Sequence, residues 1–445
     1  MFPFWSDARA RGTDAIARTA GTWRFRIVVA VLFACFHLVM FSCAGRERLG
    51  IPFNNAPSSA PYYSDPDAPA TLGYPRQPHF WSRLVVSRWD AQHYIGFALR
   101  GMTACPESRP ANEIEAQYRY LECGLGWFPA YGEIAALVAA PFGWPADVVL
   151  VVMSVLATIA INLLWTSDTI ARRIGRFESY ATMVAFNVFP SAFHLVTPYT
   201  ESATIALALG GLVCIARDRW VTAGVLVGAA TGLRAGALSF VPALGVVGLL
   251  AAWKRYRAGD PSWWRPFVAA ALSPWGFVVQ LVVFQIAVGD WRAYFTAREL
   301  FGDTREWGRL INTEWYVTGL GAQHMDGLML YVSFALVALG ARELARRLAH
   351  DELVFVVVAS VGGFVLACVG HTQQYWGLNR YMLTWPLVFL CAGIVARRYP
   401  LFFALYLVLC VALYWHVELC SYVTQGRPDV CPCMGRMEFM APFGS

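Results

Sequence analysis

A carboxylate, an imidazole and a phenol fall at helical spacing in the run Ser87-Arg88-Trp89-Asp90-Ala91-Gln92-His93-Tyr94. On a helix, positions i, i+3 and i+4 share a face, so Asp90, His93 and Tyr94 would present their polar groups together. A carboxylate flanked by Trp89 and Tyr94 at a membrane boundary is costly to desolvate and points to function. Placed there, Asp90 could act as a general base toward a lipid-borne substrate. The same residues also allow a plain solvated interfacial helix.

The chain around this run is built for a membrane. Of 445 residues, 57% are hydrophobic and 14% charged, with 18 Trp, whereas a soluble domain is about 25% charged. The formal net charge of +6 does not speak for nucleic acid, because the arginines lie between hydrophobic spans, where they orient the chain and meet anionic headgroups. Lys254 is the single lysine. Apolar stretches of roughly 17–25 residues with basic ends mark membrane helices. About eleven are expected, at 24–44, 146–166, 179–197, 200–216, 221–235, 237–253, 266–288, 327–347, 353–370, 380–396 and 400–417. This leaves 1–23 as a cytosolic N-terminus, 24–417 as the transmembrane domain, 45–123 and 289–326 as long outer loops, and 418–445 as an outer tail. The apolar run from Ile27 to Ser42 is long for a signal peptide and is expected to remain as the first span.

Basic clusters assign sides. Arg172, Arg173 and Arg176, then Arg217 and Arg219, Lys254, Arg255 and Arg257, Arg342, Arg346 and Arg347, and Arg397 and Arg398 can all face the cytosol. The 45–123 segment is then outside, and 146–166 must start outside to return Arg172 to the cytosol. A full crossing at 124–142 would break this alternation. That segment, with Pro129, Glu133 and Pro141, is expected to be re-entrant or shallow on the outer side, its irregular backbone covered by protein or a water-filled cavity.

Two arginines then stand on the outer side, against the trend. Arg234 follows Thr231-Gly232-Leu233 at the end of one helix, and Arg380, in Asn379-Arg380-Tyr381, opens another. A guanidinium there needs an anion: its forked donors suit a phosphate, and Glu201 or Asp90 would equally serve in a structural ion pair. In the run from Phe186 to Ser202, Pro190 would free a carbonyl inside a helix and open a cavity. Glu201 starts the next helix, where a carboxylate favours the N-terminal dipole. His194 reads as a hydrogen-bonded core residue.

Cys105, Cys123, Cys420, Cys431 and Cys433 fall outside, where disulfides are permitted; Cys105 and Cys123 are expected to pair, with the tail cysteines as competitors. Cys431-Pro432-Cys433 is too short for a zinc half-site and lacks a second pair, so no metal site is expected. G-x-x-x-x-G-K-[ST], H-E-x-x-H and G-x-S-x-G are all absent from the sequence. A group donor, if used, would be carried by the membrane.

Taken in order, Trp89-Asp90-Ala91 with Tyr94, Trp127-Phe128-Pro129-Ala130-Tyr131, Phe189-Pro190-Ser191-Ala192-Phe193, Tyr199-Thr200-Glu201-Ser202, Arg234, and Asn379-Arg380-Tyr381 with Pro386 resemble the GPI mannosyltransferase 2 (PIG-V) family and its bacterial relatives, within the GT-C glycosyltransferases. The likeness runs from Trp89 to Pro386 through short motifs. It departs where the family's polar residues after the arginine are replaced by Ala235-Gly236-Ala237 and where the proline pattern near Pro129 is thinned, which leaves acceptor and sugar open.

The resemblance implies an all-α polytopic membrane protein, a GT-C-like bundle with a large first outer loop. It also implies an inverting transferase that moves mannose from a polyprenyl-phosphate donor to a lipid-linked or glycan acceptor at the outer or lumenal face. Asp90 matches the family's outer-loop acidic position and would be the catalytic base, with Trp89, His93, Tyr94, Glu201, Arg234, Arg380 and Tyr381 around the substrates. That Arg234 and Arg380 would hold the departing phosphate is inferred from their side and charge. No cofactor is expected beyond the lipid-linked donor, which is a substrate, and metal assistance stays open. The expected partners are the polyprenyl-phosphate sugar, the acceptor and the membrane, without nucleic acid. A bacterial plasma membrane is the first expectation and the endoplasmic reticulum the second. A lipid or glycan transporter or flippase, and a non-catalytic subunit of a glycosylation complex, are the competing readings.

Overall fold

The computed structural model describes residues 22–49, 90–102, 124–300, 307–312, 325–370 and 378–419. Every regular element among them is helical, as a chain that must satisfy its backbone polar groups without water requires. Helix α1 spans Trp23–Leu49, α2 Ala91–Arg100 and α3 Ala130–Ala139; α4 spans Ala146–Trp165, α5 Asp168–Ile174 and α6 Arg176–Asn187. Next come α7 Glu201–Ala216, α8 Trp220–Leu233, α9 Phe240–Arg257, α10 Trp264–Leu272, α11 Trp275–Val288 and α12 Ala293–Leu300. The last five are α13 Met325–Arg347, α14 His350–Gly370, α15 Leu378–Met382, α16 Pro386–Arg398 and α17 Pro400–Leu413.

Among the described residues, six stretches are long and apolar enough to cross a membrane: Trp23–Ala44, Ala146–Trp165, Ala235–Arg257, Pro261–Val288, Gly327–Arg347 and His350–Val369. Among the described residues the chain is all-helical, and the length and apolar composition of these stretches are those of a multi-pass membrane protein. Several other expected spans are shorter or broken. The 179–197 stretch is helical only to Asn187 in α6, so Pro190 lies beyond the helix end rather than inside it; a turn and a short 3₁₀ segment, Ala192–Leu195, then lead into α7. The 380–396 stretch divides into α15 and α16, with Pro386 opening α16 at a position where its missing N–H is harmless. Between α8 and α9 the chain opens at Arg234, whose backbone is extended (φ −155°, ψ 134°). Hydropathy averages over these breaks because the flanking residues are apolar on both sides.

Contacts between helix ends sort the bundle into two ends. Arg26, at the start of α1, donates to the Thr166 carbonyl after α4 and pairs with Asp168 of α5, each at 3.3 Å. At the same end Arg173 pairs with Glu352 at 2.8 Å, and the fully buried Glu178 receives Arg347 at 3.1 Å and Arg397 at 3.3 Å. Arg217 donates to Thr169 at 2.7 Å, and Arg255 pairs with Asp218 beside it. These arginines, drawn from each of the basic clusters, thus share one end. Trp253, Tyr256, Trp263 and Trp264 stand exposed near it, as interfacial aromatics do.

The 124–142 segment is α3 followed by a 3₁₀ turn, Ala140–Phe142. Its length of about 20 Å falls short of a hydrocarbon core of about 30 Å. Tyr131 Oη bonds Ser154 Oγ at 2.8 Å, so α3 lies antiparallel along the first half of α4. Gly143 makes the reversal with a left-handed backbone (φ 62°).

Two features lock the bundle internally. His37 of α1 bonds Tyr414 Oη through Nδ1 at 2.9 Å and Asn187 Oδ1 through Nε2 at 3.3 Å. Asn187 Nδ2 in turn donates to Asn162 Oδ1 of α4 at 2.7 Å. All three of His37, Asn162 and Asn187 are fully buried, and a polar group in hydrocarbon needs such partners. The second feature is a glycine contact between α8 and α11. A Cβ at Gly276 would fall 2.6 Å from the Gly232 nitrogen and closer still to the Gly228 carbonyl oxygen. Small residues let the two backbones touch, and van der Waals packing holds helices together in lipid. Gly276→Ala is expected to destabilise the protein by about 1–3 kcal/mol, seen as a lower unfolding temperature in detergent; an unchanged transition would show that the helices can part at no cost.

Candidate active site

At the end of the bundle opposite the paired basic clusters, four charged side chains meet from four separate segments. Asp90 immediately precedes α2. It stands at the N-cap position but makes no side-chain capping bond to its own helix. Its carboxylate turns instead to Arg380 of α15, with Oδ2 2.7 Å from Nη2. Arg380 Nε also bonds Glu201 Oε1, and the same oxygen accepts from Arg234 Nη1 at 2.6 Å. The extended backbone at Arg234 carries this side chain across from the end of α8 to the start of α7.

Aromatic rings brace the cluster. Tyr199 lies 4.7 Å under the Arg380 guanidinium and Tyr381 lies 5.1 Å from that of Arg234, each a cation–π contact. Tyr94 is buried, its hydroxyl 3.3 Å from Thr200 Oγ1, and it meets Tyr131 and Tyr199 edge-on. His93 stacks on Trp127 at 3.6 Å between centroids, joining α2 to the 124–129 turn. Phe128 of that turn packs at 4.8 Å against Tyr294 of α12, so the second long loop contributes to the wall behind α2.

Exposure grades through the cluster and separates its members by role. The Glu201 side chain is 0% exposed and Arg234 9%, while Arg380 is 18% and Asp90 25% exposed. Two guanidiniums and two carboxylates cancel, so the resting cluster carries no net charge. Glu201 does open α7 in the first turn, as expected of a residue favoured by the helix dipole. Its carboxylate, however, is the shared counter-ion of two arginines, which is a larger role than capping. Burial pushes the Asp90 carboxyl up, but the Arg380, His93 and Arg234 charges and the Arg380 hydrogen bond outweigh it and hold the group well below the ordinary carboxylate range. Asp90 is therefore ionised, and weakly basic while Arg380 holds it.

The structure thus brings together Asp90, Glu201, Arg234, Arg380 and Tyr381, with Tyr94 buried against Thr200 and the half-buried His93 stacked on Trp127 at the edge; Trp89 lies outside the described residues. Of the partners open to the two arginines from sequence, the carboxylates Glu201 and Asp90 hold them here. Three residues join the site that sequence reasoning did not place there. Tyr199 and Trp127 lay inside quoted motifs, so their signal was available. His194, read as a core residue, stacks on Tyr199 at 5.0 Å between centroids, one ring away from Arg380. The pairing expected for Cys105 and Cys123 also lies outside the described residues. Among the described residues no group of three or more His, Cys, Asp or Glu is placed to hold a metal ion. Comparison with protein-family models, with curated proteins and with solved structures gives no match to this chain.

Proposed function

We propose that the protein is an inverting membrane glycosyltransferase, of GT-C-like architecture, that transfers a sugar from a polyprenyl-phosphate donor to a hydroxyl of a lipid-linked or glycan acceptor. The observation that carries this reading is the meeting of Asp90, Glu201, Arg234 and Arg380 at one end of the bundle, each from a different segment of the chain. Four of the segments that resemble the PIG-V family, those holding Asp90, Glu201, Arg234 and Arg380, contribute side chains to that one place. Mannose is the sugar the resemblance favours. The end opposite the basic clusters would be the outer or lumenal face, in a bacterial plasma membrane before an endoplasmic reticulum membrane.

In the proposed step the acceptor hydroxyl attacks the anomeric carbon from the face opposite the phosphate. Its proton passes to Asp90, the anomeric carbon–oxygen bond to phosphate breaks, and the polyprenyl phosphate leaves with the extra negative charge. A positioned base contributes about 10²–10⁴-fold, and guanidiniums aimed at the charge that develops on the leaving oxygen add electrostatic stabilisation. Arg380→Ala is the test of the phosphate role. It should raise KM for the lipid-linked donor and lower kcat together, because its partner is present in both ground and transition states. A folded Arg380→Ala protein with unchanged donor kinetics would remove the phosphate from this site.

A transporter or flippase remains the second reading, because broken helices around a charged site also serve substrate passage; here the breaks after α6, after α8 and before α16 adjoin the cluster. Movement of a labelled lipid across vesicles by the Asp90→Asn protein at wild-type rate, with no sugar transfer by either form, would decide for transport.

A further inference from the structure

We propose, resting on the donor chemistry above, that a lipid-linked phosphodiester binds by exchange: it takes the Nη2 edge of Arg380 from Asp90 and thereby releases Asp90 to act as the base. The geometry of Arg380 carries the argument. Its Nε is held by the buried Glu201 and its face by the Tyr199 ring. The Nη2 edge is held by Asp90 at 2.7 Å, at the more exposed margin of the cluster. Arg234 is turned inward on Glu201 and the Tyr381 ring. A phosphate arriving from the membrane therefore reaches the Arg380–Asp90 pair first, and the donors that suit it are those Asp90 occupies.

Charge balance makes addition without exchange unfavourable. The resting cluster is neutral, so a phosphodiester lodged beside a still-paired Asp90 would face a carboxylate with its counter-ion already engaged. Exchange sets the phosphodiester opposite Arg380 and leaves Asp90 without its guanidinium, next to a new negative charge, where its affinity for a proton rises. Donor binding thus precedes and creates the base. After transfer one proton has moved from the acceptor hydroxyl to Asp90, and one negative charge from the acceptor oxygen to the polyprenyl phosphate. The neutral Asp90 cannot reclaim Arg380. Loss of that proton restores its charge, re-forms the pair and expels the lipid phosphate.

The test is equilibrium binding to the purified full-length protein in nanodiscs, using a farnesyl methyl phosphodiester, whose single charge does not titrate near neutrality, and dimethyl phosphate as the headgroup without a chain. Removing the competitor should tighten the farnesyl probe about tenfold in Asp90→Asn, equivalent to about 1.4 kcal/mol, while Arg380→Gln abolishes binding and the double variant shows no gain. Should Asp90→Asn fail to fold, Asp90→Ser removes the same competitor. Equal or weaker binding by either folded variant overturns the exchange. A gain as large with dimethyl phosphate as with the farnesyl probe overturns the lipid source, pointing to free phosphate. Sugar transfer, scored separately, keeps the two ideas apart. Transfer by the wild type without tighter binding by the Asp90 variants defeats the exchange alone, and the tighter binding without wild-type transfer supports the exchange while defeating the enzymatic reading.

Discussion

Asp90→Asn is expected to reduce sugar transfer by at least about 100-fold while the protein folds and inserts as the wild type does. The substitution keeps the side chain's shape and one acceptor oxygen for Arg380 Nη2, 2.7 Å away. It removes the charge and the ability to take a proton. The side chain is partly exposed and makes no capping bond to α2, so little of the fold depends on its charge. Loss of activity without loss of stability would separate a chemical role from a structural one, with initial-rate transfer and thermal unfolding in detergent as the paired measurements. Near-normal transfer by folded Asp90→Asn protein would take Asp90 out of the mechanism and turn attention to Glu201 or to the 289–326 loop.

Glu201→Ala is expected to behave in the opposite way, costing about 3–5 kcal/mol of stability and activity with it. Its carboxylate is fully buried and is the common partner of Arg234 and Arg380. Without it two guanidiniums share the charge of Asp90, and the buried Arg234 loses its ion pair with Glu201. A residue that merely favoured the helix dipole would cost far less, about 0.3–1 kcal/mol, so the unfolding transition distinguishes the two roles directly. A shift in the smaller range would show that the arginines find other partners and that the cluster does not depend on a shared carboxylate.

The sequence made some of this readable and concealed the rest for physical reasons. Long apolar runs such as 24–44 and 146–166 appear as helices α1 and α4 because hydropathy and length together specify a span. The alternation of sides predicts a 124–142 segment that does not cross; the structure shows its shortness and α3 doubling back along α4. Helix breaks were not legible in the same way: α6 stops at Asn187 and the chain opens at Arg234, both within apolar surroundings where averaging sees no change. Site membership was signalled by residue type, since a carboxylate or guanidinium in such a chain needs a reason. Site pairing was not. The partners of Glu201 lie 33 and 179 residues away, and only the folded bundle shows that one oxygen serves both. His194 was missed because an imidazole in an aromatic run has the same sequence appearance whether it packs in a core or borders a charged site.

The His37–Asn187–Asn162 chain bears on the order in which the molecule is put together. Helix α1 exposes Val28, Leu32 and Val39, so hydrophobicity carries it into the bilayer without telling it which way to face. Beside the Arg26 contacts and the buried Phe41, its rotation is set by one imidazole, satisfied on one side by an amide from the end of α6 and on the other by Tyr414, which lies 377 residues later in the chain. Insertion of α1 can therefore be early, but its final facing waits for the segment around Tyr414, made long after α1 itself. Until then His37 has only the Asn187 amide to pair with, and α1 gains its contact with Tyr414 as a late event.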